Sequence, residues 1–68
     1  MNIIQLGDTI RESRHRKNIS QVELSKVSDV AIKSIHSIEL GKGNPSLKTL
    51  DKLLQILDLE LIVVSKKN

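Results

Sequence analysis

The stretch from Ser20 to Ser46, SQVELSKVSDVAIKSIHSIELGKGNPS, limits what this chain can become more than any other part of it. Ser20 is a good helix N-cap, and Glu23 stands three residues later, completing a capping box. Leu24 and Val27 then supply one apolar stripe, which Ser28-Asp29-Val30 interrupts. A second stripe begins with Ile35 and Ile38 at helical spacing, and Gly41 closes it as a left-handed C-terminal glycine does. The spacing therefore predicts two short helices joined by a tight turn, followed by the polar loop Gly41-Lys42-Gly43-Asn44-Pro45.

Two helices in that relation, over residues 20–40, form a helix-turn-helix, whose second helix can enter a DNA major groove. The flanking segments supply the rest of a core. From about Ile4 to Lys17, apolar Ile3, Leu6 and Ile10 face one way, while Arg11, Glu12, His15, Arg16 and Lys17 lie mostly opposite. The spacing fixes the start of this helix only to within a few residues; Asn18 suits a left-handed end, and Ile19 can staple the next helix. Ser46 caps a further helix running to about Leu57, with Leu47, Leu50, Leu53, Leu54 and Leu57 on one face.

The tail reads differently. Alternation over 59–65 puts Leu59, Leu61 and Val63 on one side and Glu60, Ile62 and Val64 on the other, with a β-branched content that favours a strand. A lone apolar strand has no partner inside a helical chain, and its open edge invites another copy. Leu59, Leu61, Ile62, Val63 and Val64 are accordingly expected to pair two subunits, leaving Lys66, Lys67 and Asn68 as a solvated end.

Sixty-eight residues suffice for a single domain, 1–68, with one modest core. Eleven basic against eight acidic residues give a net charge of +3, a mild bias toward a polyanion. The chain lacks Phe, Tyr and Trp, so it has no rings on which to stack unpaired bases, and duplex DNA is the better target. It also lacks cysteine, and its two histidines have no metal-ligand spacing. No G-x-S-x-G context or phosphate-cradling glycine loop is present, so neither catalysis, a cofactor nor a small-molecule ligand is expected. The lack of a signal sequence or membrane-length apolar run points to the cytoplasm.

Arg14, Ser20-Gln21, Leu24, Val30, Ile35, Ile38-Glu39, Gly41 and Asn44-Pro45-Ser46 together resemble the Xre/Cro/C1-type helix-turn-helix domains. The similarity covers roughly Leu6 to Leu59, and the short length with a β-branched tail resembles the HipB-like antitoxins. The resemblance implies an all-α, lambda-repressor-like bundle of four helices, here with a C-terminal strand pairing across a homodimer. It further implies that the third helix, about Ile32 to Leu40, reads DNA. Gln21 would bond a phosphate and buttress that helix, and Arg14 would pair with Glu39 to join the first helix to the third. Three positions depart from the family: Asp29 stands where glycine is common, Ala31 replaces the usual Ser/Thr cap, and Ile32 occupies a typically polar reading position.

With Ile35 and Ile38 turned inward, the outer positions of the third helix are Ile32, Lys33, His36, Ser37 and Leu40. Lys33 can donate to guanine, Ser37 can donate or accept, and Ile32 can touch a thymine methyl. Ser34, His36, Lys42 and Asn44 fall where backbone contacts are expected, which set register more than sequence choice. Blander roles exist: Lys33 and Lys42 also fit as solubilising residues, His36 as a solvated side chain and His15 as surface. The expected function is a dimeric repressor on a pseudo-palindromic operator, in its narrower form an antitoxin that represses its own operon and binds a HipA-like kinase toxin. The competing reading is a protein-interaction module whose apolar tail binds a partner and whose DNA binding is weak.

Overall fold

The computed structural model describes residues 2–66. Four α-helices follow one another: α1 Ile3–Arg16, α2 Gln21–Ser28, α3 Ile32–Glu39 and α4 Leu47–Ile56. Local chemistry sets each start but one. The Asn2 side chain accepts from the Gln5 amide at 2.9 Å while Gln5 Oε1 accepts from the Asn2 amide at 3.0 Å, a capping box that fixes the first turn the sequence left open. Ser20 and Glu23 form the same reciprocal pair at 3.0 and 2.9 Å, and Ser46 accepts from the Thr49 amide at 3.1 Å. Ala31 offers α3 no such bond, which costs about 1 kcal/mol.

The stops are equally local. A left-handed residue follows every helix: Asn18 at φ 56°, Asp29 at 60°, Gly41 at 72° and Asp58 at 56°. Short polar side chains and glycine are the residues that tolerate this conformation.

Ile10, Leu24, Val30, Ile35, Ile38, Leu50, Leu53, Leu54 and Leu57 form a single buried cluster, with Leu6, Ile19, Ile56 and Leu59 packed at its margin. Helix α3 lies between α1 and α2, and α2 also packs on α4. Gly7 makes the first of these contacts possible. A Cβ there would collide with the Ile38 carbonyl oxygen and stand 3.1 Å from that of Glu39, so the glycine lets α1 lie directly on the last turn of α3.

Three expectations need correction. Val27 does not join Leu24 in the core; it is 61 % exposed, and Ser28, one turn on from Leu24, faces inward instead. Leu47 is 71 % exposed because it opens α4 before the helix reaches the core, which Leu50, Leu53 and Leu54 enter. Among the described residues there is no β-strand, so the predicted strand over 59–65 is not formed by this chain alone. Only its first residue is anchored: Leu59 is half-buried, and its amide donates to the Leu54 carbonyl at 2.8 Å. Over residues 61–66 the chain is exposed, reaching 92 % at Val63. A strand exists through ladder bonds to a neighbour, and a helical monomer provides none. The solvated end expected at Lys67 and Asn68 lies outside the described residues.

Candidate nucleic-acid interface

The amphipathic division of α3 makes the site. Ile35 and Ile38 point into the core, and Ile32, Lys33, Ser34, His36 and Leu40 are exposed, with Ser37 half-buried. Beside this helix the loop before α4 forms one wall of an open groove of about 420 Å³, which unites Lys33, Ser34, Ser37 and Asn44. Ile32, His36 and Lys42 are exposed but do not line the groove, and Gln21 lies behind α3 rather than on it. The Lys42 amide donates to the Ser37 carbonyl at 2.9 Å, which folds the loop back toward the helix.

Two of the surface cations away from α3 are tied in ion pairs. Arg11 pairs with Asp8 at 2.9 Å and Lys17 with Asp58 at 2.6 Å. Lys33 and Lys42 are exposed and make no ion pair among the described residues.

The inner side of α3 is held by a buried polar cluster. Arg14 Nε donates to Glu39 Oε2 at 2.7 Å and Nη2 to Oε1 at 2.9 Å, a bidentate pair. Arg14 Nη1 also donates to the Ile19 carbonyl at 2.9 Å, and Gln21 Nε2 to Glu39 Oε1 at 3.2 Å. One carboxylate thus ties α1, α2 and α3 together. Burial pushes the Glu39 carboxyl up, but the bonds from Arg14 and Gln21 outweigh it and hold the group below the ordinary carboxylate range. The same contact with Glu39 raises Arg14. Gln21, half-buried at the start of α2, spends one amide hydrogen on Glu39.

Sequence reasoning overlooked several contributors. Ser46 and Thr49 line the groove opposite Lys33; their proximity depends on how the loop folds, which periodicity does not encode. Gly7 was legible in principle, since a glycine within an apolar-periodic helix signals close backbone approach.

A family of DNA-binding transcription regulators is defined by this arrangement: a capped α2, a left-handed turn, an exposed α3 and an internal ion pair behind it. The helix-turn-helix family profile matches residues 10–64, and the chain belongs to that family, in its Xre/Cro/C1-type branch. A protein of Methanococcus maripaludis named as an HTH-type transcriptional regulatory protein is 39 % identical over 56 residues, covering 82 % of this chain. The chain spans only 17 % of the length of that relative. The ImmF control region 10 kDa protein of Bacillus phage phi105 is 32 % identical over 60 residues, covering 88 % of this chain and 67 % of the phage protein. Among solved structures, the restriction-modification controller protein C.AhdI of Aeromonas hydrophila superposes with a TM-score of 0.79 at 33 % identity, over 85 % of this chain and 88 % of its own. Among the described residues no group of acidic or histidine side chains could hold a metal ion, and no helix is long and apolar enough to cross a membrane.

Proposed function

We propose that this chain is a sequence-specific double-stranded DNA binder that represses transcription, with α3 as its reading element. The observation that carries this is the division of α3 into a locked inner side and an outer side where Lys33, in no ion pair among the described residues, stands over a groove. In this reading Lys33, Ser37 and Ile32 meet base edges, and Gln21, Ser34, His36, Lys42 and Asn44 meet the backbone. Two copies place their α3 helices in successive major grooves about 34 Å apart. They join through the apolar tail, where Leu61, Ile62, Val63 and Val64 are exposed and residues 59–65 gain ladder partners only from a second subunit.

The names of two relatives, a control-region protein and a restriction-modification controller protein, support a role in gene control. The narrower version is an autoregulating antitoxin whose tail region also engages a kinase-type toxin. The exposed tail equally favours the second reading, a protein-interaction module with weak DNA binding. A gel shift on the DNA upstream of the chain's own gene, run at two salt concentrations, separates these. A repressor gives a discrete complex that weakens steeply with salt; a smear of equal strength on unrelated DNA would reject sequence-specific repression.

A further inference from the structure

The turn before α3 lacks the usual fastenings: Asp29 rather than glycine takes the left-handed position, and Ala31 gives α3 no side-chain cap. It is fastened from the other side. The Ser25 hydroxyl donates to the Val30 carbonyl at 2.6 Å, and the Val30 amide donates to Ser28 Oγ at 3.3 Å. Both polar backbone groups of Val30, a residue with its side chain in the core, are therefore taken by serines of α2. Asp29 adds its own amide bond to the Ser25 carbonyl at 3.0 Å.

We infer that Ser25 and Ser28 are positioning residues for DNA readout: they hold Val30 to α2 and so set where α3 begins. This rests on α3 being the reading element. A cap fixes a helix start by satisfying its first free amides, whereas these serines fix it by immobilising the residue just before Ala31. The carbonyl of Ala31 then accepts from Ser34 and Ile35 at 3.0 and 3.1 Å, so slack at Val30 passes straight into the first turn that carries Ile32 and Lys33. Ser25 makes the shorter bond and carries more of the restraint. The lock ties α2 to the turn and uses none of the side chains assigned to phosphates, so its loss blurs base choice while leaving general attraction to DNA.

The test compares wild type, Ser25→Ala, Ser28→Ala and Ser25→Ala/Ala31→Ser for binding to the operator and to random duplex, and for amide exchange at Ser34 and Ile35. Ser25→Ala should lower the operator-to-random ratio about tenfold with random-DNA affinity unchanged, and speed exchange at both amides. Ser28→Ala should shift both in the same direction by less. Restoring a cap at position 31 should recover the ratio, an effect expected only if both devices fix the same helix start. Equal losses on both DNAs, or faster exchange with an unchanged ratio, would overturn the positioning role. If wild type itself fails to distinguish operator from random DNA, the DNA reading falls, and unaltered exchange in Ser25→Ala would then overturn the lock independently.

Discussion

On the proposed reading, Lys33 and Gln21 fall on opposite sides of the division between choosing a site and holding on to it. Lys33 stands exposed over the groove beside α3, so Lys33→Ala should cost about 1–3 kcal/mol of discrimination against the wrong base, measured by competition gel shift with altered operators. Gln21→Ala should weaken operator and random DNA alike, because Gln21 is held by Glu39 and, in the proposed reading, meets a phosphate rather than a base. The Arg14–Glu39 pair answers to pH and to deletion. Arg14→Met strands a carboxylate that is only 4 % exposed, a loss of about 3–5 kcal/mol that should largely unfold so small a domain, read by circular dichroism. Glu39 has its folded pKa depressed, so its contribution is complete above the unfolded value of 4.5 and is lost as pH falls below it toward the lower folded value. Thermal melts should therefore show an acid-side decline beginning near pH 4.5 that Glu39→Gln flattens.

At the scale of elements, the contact between α1 and α3 is a test of packing against propensity. Ala is a better helix former than Gly by about 1 kcal/mol, yet Gly7→Ala should destabilise the domain. Its methyl meets the backbone carbonyls at the end of α3, which cannot swing aside, and overpacking of this kind costs about 1–3 kcal/mol. A lowered melting temperature with weaker operator binding is the expected result; a raised melting temperature would show the contact to be slack. The same contrast explains what was readable beforehand. The capping box at Ser20, the inward Ile35 and Ile38 and the stop at Gly41 were legible because they are local. The exposure of Val27 and Leu47 was not, because helical spacing gives a face without giving how far the neighbouring helix extends along it. Nor was the lack of a strand over 59–65 among the described residues: a β-branched composition suits a strand, but it does not supply the neighbour whose ladder bonds would make one.

For the molecule as a whole, the tail is a run of consecutive apolar residues, Leu61 to Val64, left without a covering among the described residues. Removing the residues after Leu59 should leave the helical bundle folded, since the buried cluster ends with Leu57, and should convert dimers to monomers by light scattering. A truncated chain that stays dimeric would relocate the subunit contact, for which the exposed Leu47 and its groove with Leu50, Leu54 and Leu61 are the next candidate.

The reversed backbone at the four helix ends leaves a signature that burial alone would miss. Asn18, Asp29 and Asp58 are exposed, so a survey of all single substitutions would ordinarily score them as permissive. Isoleucine, valine and threonine should nonetheless be depleted at these positions and at Gly41, while glycine is enriched, tracing the joints of the domain in a selection experiment that never examines its structure.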